Sequence, residues 1–249
     1  MNASALEVSD LRFAYPDGTL ALREVSFRVS PGEAVGIVGA NGAGKSTLLL
    51  HLNGCLAPQR GSIHIAGEQL DSASLKSVRR RVGLVFQDPD DQLFMPSVEE
   101  DVAFGPLQAG LPMEEVERRV VGALQEVGLL HCRTRPPYRL SAGEKRAAAL
   151  ASVLALSPSV LVMDEPSTHL DPRARRRLIE LLGALAQTRL IATHDLELVV
   201  EVCSRVLVLS EGRIVADGPT RSVLNDEPLM LAHGLERPHI LQHHHPHRD

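Results

Sequence analysis

A glycine-rich segment that ends in a lysine and two hydroxyl residues carries the strongest chemical signal in the sequence. It fits the pattern G-x-x-x-x-G-K-[ST] and consists of Gly39, Ala40, Asn41, Gly42, Ala43, Gly44, Lys45, Ser46 and Thr47. Glycines let backbone N–H groups turn toward a phosphate, and a following helix adds the positive end of its dipole. Lys45 would then reach the β- and γ-phosphates, and Ser46 a Mg²⁺ ion. The segment predicts a nucleotide site; a glycine-rich turn that fits by chance is the alternative.

Two adjacent carboxylates follow a run of four apolar residues. The run, residues 160–163, is typical of a buried strand and delivers Asp164 and Glu165 to its carboxyl end, where ligands bind in α/β sheets. Asp164 can hold Mg²⁺ through water or Ser46, and Glu165 can point at an attacking water. An acidic strand end facing solvent is the alternative, but the phosphate loop favours the nucleotide interpretation. Because the second carboxylate is free to act as a base, the pair indicates hydrolysis rather than storage.

A third segment combines a helix cap with two small residues. Its members are Leu140, Ser141, Ala142, Gly143 and Glu144. Ser141 and Glu144 have the S-x-x-E spacing of a capping box, which predicts a well-capped helix start. The same helix start is a second place at which a phosphate can bind.

These segments resemble, in type and order, the motifs of the ATP-binding subunit of an ABC transporter, over roughly residues 1–235. In that family, residues 39–47 match the Walker A loop, residues 140–144 the L-S-G-G-Q signature and residues 160–165 the Walker B strand. The remaining matches are Tyr15 (the aromatic that stacks on adenine), Gln87 (the Q-loop), residues 167–171 (the D-loop, with Asp171) and His194 (the switch histidine). The resemblance implies ATP and Mg²⁺ as ligands and ATP hydrolysis as the activity.

The resemblance gives these residues roles, and each has a plainer alternative. Tyr15 could pack in a turn rather than on adenine, although the chain has only two tyrosines and no tryptophan. Gln87 could be a surface amide rather than a Mg²⁺ contact that couples the site to a helical lobe, and His194 could cap a helix rather than bind the γ-phosphate. Asp171 is expected both to cap a helix and to face a second cassette. The expected catalytic residues are Glu165, His194 and Gln87, and the expected Mg²⁺ ligands are Ser46, Gln87 and Asp164.

Two local runs narrow the resemblance to the energy-coupling-factor branch, which includes cobalt and nickel importers. They are residues 85–94 and residues 98–106, and related importers share parts of both.

The signature segment departs from the family pattern at two positions. Ala142 adds a Cβ where backbone should approach phosphate, which strains the loop only if its φ is positive. Glu144 replaces Gln, which keeps the capping role but adds charge. The resemblance implies that residues 140–144 bind the partner cassette's nucleotide, so that each ATP lies between Lys45 of one cassette and Ser141 of the other; the sequence leaves open whether this composite ATP site is weakened.

The elements that must position these residues alternate between strand and helix. An alternating pattern around the turn at residues 15–18 predicts an antiparallel hairpin. Other predicted strands cover residues 34–38, 81–86, 160–163 and 190–193, predicted helices cover residues 45–52 and 173–186, and a terminal hairpin covers residues 206–209 and 213–216. Between about 97 and 156 the pattern is helical. An apolar stripe there passes through Val116, Val120, Ala123, Leu124 and Val127.

This alternation predicts an α/β fold. With the family resemblance, it predicts a P-loop NTPase core with a mostly parallel sheet, an N-terminal antiparallel β region and an inserted helical lobe at about residues 88–157. The ATP-binding domain is expected over residues 1–237 and a histidine-rich tail over residues 238–249.

The composition is that of an ordinary globular chain. The 249 residues are 44% hydrophobic and carry a formal net charge of −5, which argues against nucleic acid as a partner. The three cysteines lie far apart and favour a reducing compartment. No signal-peptide pattern opens the chain, and the longest apolar stretch, residues 147–156, is shorter than the about 20 residues that a membrane span needs. Any membrane role is therefore expected to depend on partners.

The tail could bind metal. Its histidines are His239, His243, His244, His245 and His247. Imidazole suits Zn, Cu and Ni, so a nickel or cobalt buffer is chemically sensible. A solvated, inert tail and an added purification tag are the alternatives, although the interruption by Pro246 does not resemble a tag.

The most specific function that the sequence predicts is ATP hydrolysis that powers import of a transition-metal ion, cobalt or nickel. The expected partners are a second ATP-binding cassette, identical or homologous, a transmembrane coupling protein and a membrane protein that captures the substrate. The expected location is the cytoplasmic face of the cell membrane. A B-group vitamin or biotin is the alternative cargo. The alternatives of another class are a non-transport ABC ATPase and a nucleotide-regulated metal-buffering protein.

Overall fold

The computed structural model describes residues 4–242. The strands are β1 (Leu6–Ala14), β2 (Leu20–Val29), β3 (Ala34–Val38), β4 (Arg60–Ile65), β5 (Glu68–Gln69), β6 (Val82–Val85), β7 (Val160–Asp164), β8 (Thr188–Ala192), β9 (Arg205–Ser210) and β10 (Arg213–Pro219). The helices are α1 (Lys45–Leu52), α2 (Leu75–Arg81), α3 (Val98–Gln108), α4 (Met113–Glu126), α5 (Ala142–Leu154), α6 (Pro172–Ala184), α7 (Leu196–Val202), α8 (Thr220–Leu224), α9 (Glu227–Ala232) and α10 (His239–Gln242). Within residues 4–242, none of these helices is long and apolar enough to cross a membrane.

The larger sheet positions the chemistry. Its strand order is β10-β9-β3-β8-β7-β6, and neighbouring strands are parallel except for β10 and β9. Every residue of β3, β6 and β8 is buried, as expected of strands covered on both faces. The carboxyl ends of β3 and β7 lie at the same edge with only β8 between them. The predicted α/β fold with a mostly parallel sheet is confirmed.

The N-terminal sheet is antiparallel, with the order β2-β1-β4-β5. The predicted hairpin of β1 and β2 is confirmed. Its apolar residues Leu11 and Leu22 belong to the same buried cluster as Leu48 and Leu52 of α1 and as residues of β3 and β7. Helix α1 is thus held by side chains of both sheets, and this packing fixes the direction in which its first turn points.

Helices α3, α4 and α5 form the helical lobe. The predicted stripe on α4 is buried at Val116, Val120, Ala123 and Leu124, and Val127 just beyond the helix is partly buried. The second half of α5 belongs to the same buried cluster as residues of β6 and β7. Helix α5 therefore begins in the lobe and ends against the parallel sheet, so the two parts share one core.

Some elements differ from the prediction. The strand predicted over residues 81–86 is β6, which is shorter because Arg81 ends α2. Neither β4 nor α2 is predicted, because each carries too few buried apolar residues to show a period: Ile63 and Ile65 in β4, and Val78 in α2. Helix α7 is also not predicted, because a run of seven largely apolar residues fits a short helix as well as a strand.

Candidate functional site

The glycine-rich loop joins the end of β3 to the start of α1. Gly42 and Gly44 have φ values of 80° and 104°, a region that glycine enters without steric cost. A Cβ added at Gly39 would collide with the carbonyl oxygen of Leu209. The loop is therefore shaped by its glycines and by the neighbouring strand β9, and the predicted strand, loop and helix order is present.

Lys45 is the first residue of α1 and is only 7% exposed. Its ammonium donates hydrogen bonds to the carbonyl oxygens of Gly39, at 2.8 Å, and Ala40, at 3.2 Å. Burial lowers the pKa of Lys45, while the nearby carboxylates of Glu165 and Asp164 raise it. The lysine thus places a partly desolvated positive charge inside the loop, where it can interact strongly with an anion.

Asp164 ends β7 at the same sheet edge. Burial raises the pKa of its carboxyl, and a hydrogen bond with the Ser46 side chain lowers it. Its Oδ1 atom is buried and has no hydrogen-bond partner among the described residues. A buried carboxylate oxygen without a partner, next to a hydroxyl, is a suitable donor set for a hard cation such as Mg²⁺.

Glu165 follows Asp164 and is held in one orientation. Its Oε2 accepts hydrogen bonds from the Thr193 hydroxyl at 3.0 Å and from the His194 backbone N–H at 3.2 Å, and it lies 2.7 Å from His194 Nδ1. Its φ of 45° is uncommon for a residue other than glycine. The structure assigns every one of these contacts to Oε2, so among the described residues Oε1 is left to accept a further bond.

His194 does not cap a helix. The N-cap of α7 is Asp195, whose carboxylate accepts from the Leu198 N–H at 3.0 Å. The capping alternative is therefore wrong. The His194 side chain is 65% exposed and faces Glu165 through Nδ1, which leaves the other ring nitrogen available to a ligand.

Tyr15 lies in the turn between β1 and β2. Its hydroxyl is 2.9 Å from the Thr47 hydroxyl, and its ring meets the edge of Phe13 with ring centroids 5.1 Å apart. The side chain is half-buried and packs against the buried cluster of the two sheets. Stacking on adenine stays a prediction.

These side chains share one cavity of about 720 Å³. Predicted residues that line it are Tyr15, Gly39, Ala40, Asn41, Gly42, Gly44, Lys45, Ser46, Thr47, Gln87, Asp164, Glu165 and His194. Ala43 does not line it, because its side chain packs in the buried cluster beneath the loop. An adjoining cavity of about 690 Å³ shares Ser46, Gln87, Asp164 and Thr168 with the first. The predicted Mg²⁺ ligands thus lie where the two cavities meet.

The signature segment begins α5. The predicted capping box is confirmed: Ser141 Oγ accepts from the Glu144 N–H at 3.3 Å, and Glu144 Oε2 accepts from the Ser141 N–H at 2.8 Å. Ala142 is the first helical residue and is not among the residues with positive φ, so its methyl group does not strain the loop. A Cβ on Gly143 would lie 2.9 Å from the Ala174 Cβ of α6, so this glycine permits close helix packing.

Most of the signature segment opens to a different cavity from the phosphate loop. Ser141, Gly143 and Glu144 line a cavity of about 590 Å³ together with Asp171. Asp171 is the N-cap of α6 and accepts from the Ala174 N–H at 2.8 Å, as predicted. Ala142, with the buried Leu140, lines the 690 Å³ cavity instead. Ser141, Gly143 and Glu144 therefore do not line the cavity of the loop in their own chain.

Several residues that connect the phosphate site to the signature helix were not predicted from the sequence. Arg146 on α5 is buried and donates to the Phe86 carbonyl oxygen at 2.9 Å, and Lys145 contacts Asp90 at 2.6 Å. Thr193 holds Glu165, as described above. No motif marks these residues, because each acts on a partner distant in sequence. The one signal in the sequence is that two basic residues, Lys145 and Arg146, directly follow the signature segment.

The histidine tail is only partly described. His239 is exposed at the start of α10. The other four predicted tail ligands, His243, His244, His245 and His247, lie outside the described residues.

Comparisons with known proteins show the family to which the chain belongs. A family model described as ABC transporter matches residues 22–168. An ABC transporter ATP-binding protein of Geobacter sulfurreducens is 57% identical over 242 residues, which are 97% of each chain. The energy-coupling factor transporter ATP-binding protein EcfA of Methanothermobacter thermautotrophicus is 45% identical over 94% of this chain and 76% of its own length.

Two solved structures have the same fold. CbiO1 of Clostridium perfringens, part of the ABC transporter complex CbiONQ, is 37% identical with a TM-score of 0.83, covering 96% of this chain and 98% of its own. A dimeric ATP-binding cassette in a post-hydrolysis state, bound to ADP and phosphate, is 26% identical with a TM-score of 0.77, covering 86% and 98%. The chain therefore belongs to the ATP-binding subunits of ABC transporters, with energy-coupling-factor subunits among its relatives, and is an ATPase.

Proposed function

We propose that this ATPase binds Mg–ATP in the 720 Å³ cavity and uses its hydrolysis to power import of cobalt or nickel through membrane subunits. The single observation that carries the catalytic part is the convergence of Lys45, the unpartnered Asp164 Oδ1 and the Glu165–His194 pair on one cavity. A charge-compensating lysine, a cation-binding carboxylate and a candidate base are the parts that phosphoryl transfer to water requires.

The loop and its neighbours hold the nucleotide. Backbone N–H groups of residues 39–47 and the start of α1 surround the phosphates, and Lys45 exchanges its contacts with loop carbonyls for the β- and γ-phosphates. Tyr15 stacks on the adenine at the cavity rim. Ser46, Asp164 and Gln87 would hold Mg²⁺, which neutralises phosphate charge.

Glu165 acts on the attacking water. Because His194 and Thr193 both engage Oε2, Oε1 accepts the water's hydrogen bond and takes its proton. A positioned general base contributes about 10²–10⁴-fold to the rate. With Nδ1–H donating to Glu165 Oε2, the other nitrogen of His194 donates to the γ-phosphate when the ring carries both protons, so the histidine orients the base and the phosphate together.

The second half of the site comes from another cassette. Ser141 and Gly143 do not line the cavity of their own loop, and the dimeric relative shows that a protein of this fold pairs. In the proposed dimer, the N-terminus of α5 from one chain faces the γ-phosphate held by the other and stabilises its charge. Asp171 of each chain faces the partner cassette.

Two observations support cobalt or nickel as the cargo: the similarity to known transporter subunits and the histidines of the tail. The similarity to CbiO1 and EcfA supports an energy-coupling-factor transporter at the cytoplasmic face of the membrane. The histidine-rich tail has the donor set that cobalt and nickel bind. The proposed partners are a transmembrane coupling protein and a substrate-capture membrane protein.

The test is purification of this chain from its native membranes, identification of the subunits that co-purify, and uptake of labelled Co²⁺ and Ni²⁺ by the reconstituted complex. ATP-dependent uptake by the wild type and none with Glu165→Gln supports the proposal. Uptake of a vitamin but of neither metal would replace the cargo. The absence of any co-purifying membrane subunit would contradict the transport role itself.

A further inference from the structure

Outside the nucleotide cavity, three metal-ligating side chains meet beside the start of α5. His131, Cys132 and Glu144 each offer one ligand atom, and these atoms all lie within 4.8 Å of one another. Cys132 Sγ is 3.7 Å from Glu144 Oε1. Nitrogen, sulfur and oxygen donors thus converge on one point, within reach of a single ion.

The local backbone holds this cluster together. A short 3₁₀ turn over Leu130–Cys132 follows α4, and its start and end are fixed by bonds from the Cys132 N–H to the Leu129 carbonyl and from the Arg133 N–H to the Leu130 carbonyl. Glu144 is fixed from the other side, because its Oε2 caps α5 through the Ser141 N–H at 2.8 Å. Its Oε1 is consequently directed at the thiol, and both walls of the cluster are positioned before any ion arrives.

The donor set selects a class of ion. Thiolate and imidazole suit Zn²⁺, Co²⁺ and Ni²⁺, whereas Mg²⁺ and Ca²⁺ prefer oxygen alone. Cys132 binds an ion as a thiolate, so its proton passes to solvent as the metal–sulfur bond forms. An ion with high thiolate affinity meets that requirement, and a hard cation does not.

The cluster is open on one side. His131 is exposed, and His131 and Glu144 line the 590 Å³ cavity next to the signature segment. This cavity provides an entry path and room for a water molecule in the fourth position of a tetrahedral site. One cation competes: Arg135 Nη1 lies 3.9 Å from Glu144 Oε1, but its side chain is 51% exposed and has space to turn into solvent.

We propose that His131, Cys132 and Glu144 form a site for a divalent transition-metal ion, separate from the Mg²⁺ site of the nucleotide. The bound ion ties the turn after α4 to the first turn of α5. It also neutralises the charge of Glu144, the carboxylate in the signature segment. The site goes beyond the proposed function and does not depend on which cargo the transporter carries.

The test is titration with Co²⁺ alone, in the full-length chain with the five tail histidines replaced by glutamine, so that the tail does not contribute. Binding through sulfur gives a thiolate-to-cobalt charge-transfer band in the near ultraviolet. We expect this band to reach its plateau at one equivalent. Cys132→Ser should abolish it, and Cys55→Ser, which removes an exposed cysteine that is not a member of the cluster, should leave it unchanged.

A variant at the exposed ligand His131 tests the proposal even if Cys132→Ser fails to fold. His131→Gln removes one ligand at an exposed position, and we expect the Co²⁺ affinity to fall by at least the about 10–100-fold that loss of an outer-shell partner costs. No band in the tail-substituted protein, or an unchanged band and affinity in His131→Gln, would overturn the proposal. Because no nucleotide is present in the titration, these outcomes are independent of the ATPase and of transport.

Discussion

At the residue scale, Glu165 gives the most direct test of the chemistry. Glu165→Gln keeps the side chain's size and its ability to accept from Thr193, but removes the base. We expect ATP hydrolysis to fall by about 10²–10⁴-fold with ATP affinity retained, measured by phosphate release and calorimetry. Glu114→Gln, an exposed carboxylate on α4, is the matched control. Hydrolysis at the wild-type rate in Glu165→Gln would refute the general-base role.

Lys45 tests binding rather than turnover. Lys45→Ala removes a buried ammonium that the loop holds at 2.8 Å from Gly39. Since a hydrogen bond to a charged group contributes about 1.5–3 kcal/mol, we expect the dissociation constant for Mg–ATP to rise by roughly 10–100-fold. Lys76→Ala, which removes an exposed lysine on α2, should bind as the wild type does. Equal affinities in the two variants would exclude Lys45 from phosphate binding.

The residues whose chemistry the sequence predicted without the family resemblance share one property, namely that they belong to contiguous motifs. Lys45, Asp164 and Ser141 could be found because their types and spacings alone imply phosphate, cation and helix cap. Thr193 and Arg146 could not, because their roles depend on partners that the fold brings from far along the chain. Ala43 shows the converse, since a motif position can point its side chain into the core.

At the element scale, α1 has a pH-sensitive residue behind the phosphate loop. His51 is fully buried, its Nδ1 lies 2.7 Å from the Thr47 carbonyl oxygen, and its ring packs against the edge of Phe13. Burial lowers the pKa of His51 below its ordinary 6.5. Below pH 6.5 the unfolded chain therefore binds a proton that the folded chain does not, and the free energy of unfolding falls as the pH falls.

One proton limits this contribution to a slope of about 1.4 kcal/mol per pH unit. We expect His51→Gln to flatten the pH dependence of the free energy of unfolding just below pH 6.5, whatever its effect at neutral pH. Urea unfolding of both proteins on either side of pH 6.5 measures the slope. Identical slopes would show that His51 is not the residue that titrates.

The contact between α5 and α6 depends on a glycine. A Cβ on Gly143 would lie 2.9 Å from the Ala174 Cβ, closer than such atoms approach, so we expect Gly143→Ala to move the two helix starts apart and to reduce ATPase activity. Adding Ala174→Gly should restore part of that activity, at a stability cost of about 1 kcal/mol for a helical glycine. A double variant no more active than Gly143→Ala would mean that helix spacing is not the cause.

The helices and strands differ in how well their boundaries could be predicted from the sequence. The fully buried strand β3 and the helix α1 have predicted boundaries that match the structure, because a continuous apolar run meets a glycine-rich turn and then a helix start. Strand β4 and helix α2 bury too little to leave a period. Their positions follow from packing against β1 and β6, and sequence patterns do not encode such contacts.

At the scale of the whole molecule, the phosphate loop and most of the signature segment line different cavities of one chain. In the proposed function the loop of residues 39–47 binds the phosphates, while Ser141, Gly143 and Glu144 line another cavity. In the proposed dimer, a twofold pair of cassettes would bring each loop against the partner's signature and make two identical sites. The family resemblance already implies a site shared between two cassettes, and the structure adds which cavity each half lines.

Complementation tests this arrangement. Lys45→Ala weakens ATP binding by a loop, and Ser141→Arg places a bulky cation at the signature, so at an ATP concentration well below the dissociation constant of Lys45→Ala each variant alone should be inactive. In a mixed dimer, both defects fall in the same composite site and the other site is intact. If identical chains pair at random, equal mixing should restore about a quarter of the wild-type ATPase activity.

The control is a single chain that carries both substitutions, mixed with each parent variant, because those mixtures contain no dimer with an intact site. They should stay inactive at every ratio. Recovery in the first mixture alone would show that the two halves act in trans and that the chain pairs with itself. An inactive first mixture, with dimers present by sedimentation, would contradict the twofold composite site, because pairing would then occur without bringing loop and signature together.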